Sequence, residues 1–179
     1  QNYGEWSISV PAQLKGKLNI SDKLTDLNLG PQQYPGVTSL HLGKSVNAIE
    51  LWYLPSQLPS LQSISVDPEN TSFSTDAEGV MLIQNSEVQF CCAGVSSINV
   101  PEGVTYCLLS YSSYPNLKQI TLPSTVTNFS VQDAPNLEKF VMPVANSNYK
   151  VVDGVLYDLN YNGFILPKKA KVLDLAAAG

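Results

Sequence analysis

The chain has 179 residues, 44% apolar and only 14% charged, with fifteen acidic and ten basic side chains and a net charge of −5. That length allows a substantial core, and no run reaches the ~18 apolar residues a membrane-crossing helix needs. The basic residues, including Lys150, Lys168, Lys169 and Lys171, form no broad stripe, so nucleic acid is not an expected partner.

In chain order, Trp6-Ser7-Ile8-Ser9-Val10-Pro11 reads as the tail of a hairpin, within a lead-in segment of residues 1–17. A repeat then begins: apolar-x-apolar, a Ser, Gly or Pro, and an apolar residue four positions on. Its copies are Leu18-Asn19-Ile20-Ser21…Leu24, Leu40-His41-Leu42-Gly43…Val46, Ile98-Asn99-Val100-Pro101…Val104 and Ile120-Thr121-Leu122-Pro123…Val126. Each continues to a second apolar pair: Leu27 and Leu29, Ile49 and Leu51, Cys107 and Leu109, Phe129 and Val131. Then follow Tyr34-Pro35, Leu58-Pro59, Tyr114-Pro115 and Ala134-Pro135. The steps are 22 from Leu18 to Leu40, 24 from Leu40 to Ile64, 22 from Ile98 to Ile120 and 20 from Ile120 to Phe140. Such a period predicts a solenoid, because one unit cannot bury its apolar edge without a stacked neighbour.

The copies at Ile64 and Phe140 are interrupted. Their inserts carry Asn70, Phe73 and Glu78-Gly79, then Asn146, Tyr149 and Asp153-Gly154, with a later turn at 160–163. Asp-Gly before an alternating apolar run predicts β-hairpins, here lateral to coils whose stacking they leave unchanged. The expected division is a first block of 18–94 with a hairpin at about 67–92 and a second of 95–171 with a hairpin at about 143–167. Residues 172–179 open a further coil at Val172-Leu173-Asp174-Leu175. Helical periodicity is lacking, so the apolar-x-apolar pieces are expected as parallel strands and the second pieces as shorter strands or extended turns.

Leu117-x-x-Ile120-x-Leu122-Pro123-x-x-Val126, with an inserted Asn-x-x-Tyr…Asp-Gly-Val-Leu-Tyr hairpin, resembles the BspA-type leucine-rich repeats of bacterial surface proteins. The resemblance covers Leu14 to about Leu175. It departs in mid-coil, where pieces such as Tyr111-Ser112-Ser113-Tyr114 replace the family's Ala-Phe pair and Gly-Cys step. It implies a mostly β, right-handed leucine-rich-repeat solenoid, a horseshoe with a parallel sheet, short turns on the convex side and two inserted hairpins. It further implies a secreted or surface-anchored protein with a binding or adhesion role, and brings no catalytic residues.

Chemistry is sparse. Cys91-Cys92 are adjacent, a spacing that disfavours a bond between them, and one is expected inward and the other outward. Cys107 stands where other coils have Leu27, Ile49 and Phe129, as a small buried hydrophobe, and a bridge to it remains open. With one histidine and no Cys-x-x-Cys, no zinc site is expected. Asp67-x-Glu69-x-Thr71 lacks the glycine loop of a calcium site. Asp153, Asp158, Asp67 and Glu69 are turn residues. The expectation is a non-enzyme without cofactor or metal.

What remains is surface. By strand parity Asn19, His41, Ser65, Asn99, Thr121 and Val141 face outward, flanked by Ser39, Ser63, Ser97, Gln119 and Lys139. This ladder of hydroxyls and amides suits a protein or polysaccharide ligand, with Ser39, His41, Ser63, Ser65, Ser97, Asn99, Gln119 and Thr121 as its candidate residues. Trp52 is a further candidate, either outward for stacking or folded under the 24-residue coil. The reading is an extracellular or cell-surface binding module, with a spacer segment as the alternative. No signal peptide stands at Gln1, so any leader is expected to have been removed or never to have existed, and a lipid anchor upstream fits. The ends lack polar caps, which points to an excerpt of a longer array or to an end covered by a partner or a second copy.

Overall fold

The structure, a computed structural model, describes residues 10–50, 54–161, 163–170 and 176. Two turns recur in each coil and make its corners. In the first, Leu24, Val46 and Val104 donate backbone N–H bonds to the carbonyls of Ser21, Gly43 and Pro101. In the second, Val37, Leu61, Leu117 and Leu137 donate to Tyr34, Leu58, Tyr114 and Ala134. Pro35, Pro59, Pro115 and Pro135 each hold the second position of that turn, where a fixed φ favours the corner and a missing donor costs nothing.

Between corners the β-branched and leucine-rich pieces form strands. The first coils run β1 (Gly16–Ile20), β2 (Asp26–Leu27), β3 (Val37–Leu42) and β4 (Ala48–Ile49). A single helical turn, α1 (Leu54–Gln57), precedes β5 (Ser63–Val66). The pairing is parallel and in register with the repeat: Leu18, Leu40 and Ile64 stand side by side, as do Leu27 and Ile49. The helical turn is the one element the repeat pattern did not mark among the described residues. It sits in the long 24-residue coil, where the Gln57 carbonyl accepts from Tyr34 N–H at 2.7 Å and its buried side-chain amide donates to the Gly30 carbonyl.

The first insert comprises β6 (Ser74–Thr75), β7 (Met81–Gln84) and β8 (Glu87–Cys91). The β7–β8 turn is Asn85-Ser86, both left-handed (φ 53° and 63°), as a two-residue turn matching strand twist requires. Then come β9 (Ser97–Asn99), β10 (Tyr106–Ser113), β11 (Gln119–Thr121), β12 (Asn128–Asp133) and β13 (Lys139–Val141). The second insert is an antiparallel meander of β14 (Tyr149–Val152), β15 (Val155–Asp158) and β16 (Gly163–Ile165). Its first turn is Asp153-Gly154, again left-handed (φ 50° and 80°).

The first hairpin is not lateral. It stands in line with the coils, and the expectation of undisturbed stacking is corrected here. Ile64 N–H donates to the Gly79 carbonyl and Gly94 N–H to the Leu61 carbonyl, so the hairpin base lies where a coil would follow β5. On the other track β8 pairs in parallel with β10, joining Val88 to Cys107, and β10 continues to β12. The front track is thereby split into two three-stranded sheets, β1-β3-β5 and β9-β11-β13. The second track beyond the hairpin is also longer than expected, eight residues in β10 and six in β12. Strand β8 supplies β10 with a second paired edge besides that to β12.

Two cores result. One gathers Leu18, Leu40, Ile64 and their neighbours; the other gathers Ile98, Ile120, Phe140 and theirs. The hairpin faces both, with Leu82, Phe90 and Cys92 in the first and Met81, Val88 and Cys91 in the second. Both adjacent cysteines are therefore fully buried, because each face of β8 meets a core, and the expectation of one outward cysteine is corrected. All three thiols are free. Burial pushes Cys92 and Cys107 up to about 12 and Cys91 well above its ordinary range, so they stay protonated.

One asparagine pins each insert to the coil before it. Asn70 Nδ2 donates to the carbonyls of Gly43 and Val46 (both 2.9 Å), and its Oδ1 accepts from Ser72 and Phe73. Asn146 does the same for Pro123, Ser124 and Val126, and accepts from Asn148 and Tyr149. Each adds a side-chain donor to the carbonyls of a corner, including the Val46 and Val126 carbonyls.

Candidate ligand-binding face

The outward row is assembled by strand register. Asn19, His41 and Ser65 stand in line across β1, β3 and β5, with Lys17, Ser39 and Ser63 in the adjoining row. His41 Nδ1 and Ser65 Oγ share a hydrogen bond of 2.9 Å. In the second sheet Asn99, Thr121 and Val141 align, as do Ser97, Gln119 and Lys139. Gln119 Nε2 donates to Thr121 Oγ1 at 3.3 Å. The candidate residues thus form two short ladders, not one continuous ladder. Trp52 lies outside the described residues.

The break between the ladders is a cleft. Where the hairpin base passes between β5 and β9, a space of about 390 Å³ opens, lined by Gln62, Glu78, Val80, Gly94, Val95, Ser96, Ser97 and Asn99. Its chemistry is two amides, two hydroxyls, two valines and one carboxylate. Asn99 Nδ2 donates to Glu78 Oε1 at 3.1 Å, tying the hairpin base to the first strand of the second sheet. Gly79 is required by space, and Gly94 lies in a tight approach. A Cβ on Gly79, at φ +65°, would come 2.8 Å from the Ile64 carbonyl oxygen, and one on Gly94 3.1 Å from that of Leu61. Those close approaches hold the base tight against β5 and leave the opening on the β9 side.

Sequence parity placed Ser97 and Asn99 outward but missed Gln62, Glu78, Val80, Val95 and Ser96. Glu78-Gly79 was legible only as a turn, and nothing in the local pattern marks a gap between coils 34 residues apart in sequence (Ile64 to Ile98). A second opening of about 460 Å³ lies at the other edge of the same seam, between Thr71–Ser74, the Asn85-Ser86 turn and Glu102. There the Ser124 N–H and hydroxyl both donate to Glu102 (2.9 Å each) and hold its carboxyl below the ordinary range. Among the described residues no group of three or more His, Cys, Asp or Glu is placed to hold a metal ion. No described helix is long and apolar enough to cross a membrane.

Parallel strands recurring at the repeat period, closed by two turns per coil, define a mostly β solenoid of the leucine-rich-repeat type with two inserted hairpins. No protein-family model matches the chain, and no curated protein matches it. Among solved structures it is similar to a leucine-rich repeat protein from Eubacterium ventriosum, at 16% identity and a TM-score of 0.43, covering 71% of this chain. The match spans 44% of that protein, so this chain accounts for less than half its length.

Proposed function

We propose that the chain is a non-catalytic binding module of a BspA-type bacterial surface or secreted protein. It recognises protein or glycan through its repeat face. The observation that carries this reading is the seam cleft, a concavity of hydroxyls, amides and one carboxylate bordered by two polar ladders. Solenoids present ligands with extended stacked faces, and small polar groups around an apolar floor supply orientation and specificity. Ser39, His41, Ser63 and Ser65 flank one side of the cleft, Ser97, Asn99, Gln119 and Thr121 the other.

The test is a glycan array and a surface-protein pull-down with the full chain, repeated with an S97A/N99A double variant. The expected outcome is a captured ligand whose signal falls at least ~10-fold in the variant, the effect of losing about 1.4 kcal/mol of contact. Empty results in both at high protein concentration overturn the reading. A spacer role in a longer surface protein is the second reading. It is favoured by the identical way Asn70 and Asn146 tie their inserts to the preceding coil, a repeat of construction that needs no ligand.

A further inference from the structure

Strand β9 ends its sheet, with β11 as its one neighbour among the described residues. Its polarity is fixed by two bonds to the β11 side: Lys118 N–H donates to the Ser96 carbonyl at 2.8 Å, and Val100 N–H to the Thr121 carbonyl at 3.0 Å. Backbone groups alternate along a strand, so Ser97 and Asn99 turn their N–H and C=O the other way, into the cleft. Across the opening, Gly79 and Val80 are already engaged, their carbonyls accepting from Ile64 and Cys92. Among the described residues, the cleft therefore has one strand edge with free hydrogen-bonding capacity along its wall.

The side chains around that edge alternate to match. A residue paired opposite Asn99 projects on the outward face, where Asn99 meets the carboxylate of Glu78. That is the one charged group of the lining, and a cation at this point is the complementary charge. The residues on either side of it project inward, toward the half-buried Val80 and Val95 on the cleft floor. We propose that the seam cleft takes an extended peptide segment that pairs with Ser97–Asn99 as an added strand. It places a lysine or arginine beside Glu78 and aliphatic neighbours on Val80 and Val95. Main-chain bonds give such a strand its affinity and alternate side-chain positions its selectivity. This rests on the binding-module reading and narrows it to a basic, strand-forming polypeptide.

The probes are capped pentapeptides, Thr-Val-Lys-Val-Thr and the same peptide with Glu at its centre. A third carries N-methyl groups on the two central amides. They are titrated into the ¹⁵N-labelled full chain and into an E78Q variant whose spectrum reports its folding. The expected result is movement of the Ser97 and Asn99 amide signals, with the Lys peptide at least ~10-fold tighter than the Glu peptide. E78Q removes that preference, and the N-methylated peptide does not bind. If the Ser97 and Asn99 signals stay still with every peptide at millimolar concentration, or if E78Q keeps the Lys preference, the inference is overturned. A glycan hit on the array alongside still peptide spectra sinks this inference and leaves the binding-module reading standing; silence in both assays removes the two together.

Discussion

The two inserts begin alike and end in different surroundings. Both open with an asparagine clamp and an aromatic, Phe73 or Tyr149, that is buried in the core of the stack before it. In the first, the return strand β8 lies between two cores, with Phe90 and Cys91 buried. In the second, β16 is an edge among the described residues, and Phe164 and Leu166 are each 45% exposed, with Tyr161 at 85%. The same construction is thus a partition in one place and a surface in the other. What differs among the described residues is that β8 pairs with β10 on its far side, while β16 pairs with β15 alone.

The sharpest way to break this comparison is to truncate one apolar side chain in each insert, buried in the first and half-exposed in the second. Leu82→Ala removes a fully buried leucine packed into the first core and is expected to cost about 2–5 kcal/mol, cavity included. Urea midpoints read this directly, and a loss under ~1 kcal/mol would mean that the hairpin does not seal that core. The second insert offers the opposite case. Phe164→Ser, at a half-exposed position in tilted contact with Tyr157 (6.4 Å between ring centroids), is expected to change stability by no more than about 1 kcal/mol.

Alkaline pH separates the two inserts by a different route. The buried thiols cluster around the first hairpin, and the second insert contains no cysteine. Cys92 and Cys107 ionise near 9.0 when unfolded and at about 12 when folded. Between those limits the unfolded chain releases more protons, so stability is full below pH 9 and falls as pH rises toward 12. The slope is about 1.4 kcal/mol per pH unit for each thiol. The urea midpoint at pH 10 should therefore lie below that at pH 8, and Cys107→Ala should lessen that drop relative to the parent chain. An unchanged slope in the variant would show that its thiol is not buried as described.

Much of the fold was readable from residue spacing, because coil register is a local matter of where Ile, Leu and Pro recur. Leu18, Leu40 and Ile64 align as their 22- and 24-residue steps dictate. The in-line hairpin was not readable. The pairing of Val88 with Cys107 joins residues from different supersecondary units, and nothing in Glu87-Val88 distinguishes a strand that meets a coil from one that meets water. The Asn85-Ser86 turn was missed because it lacks the glycine that usually marks two left-handed residues. The helical turn at Leu54–Gln57 was hidden by its brevity and its proline. For the candidate face, parity gave the outward rows, but the cleft is a gap in three dimensions and leaves no periodic signal. It required Gly79 and Gly94 to draw the hairpin base toward β5.

A wall greased on both sides has an evolutionary consequence. Ile64 and Ile98 lie 34 residues apart, 12 more than the 22-residue step that unites Ile98 with Ile120, so loss of about twelve residues from this insert would restore the spacing of an ordinary coil. The outcome would be a smooth, shorter rod without its furrow. The furrow is thus a matter of chain length between two neighbouring coils.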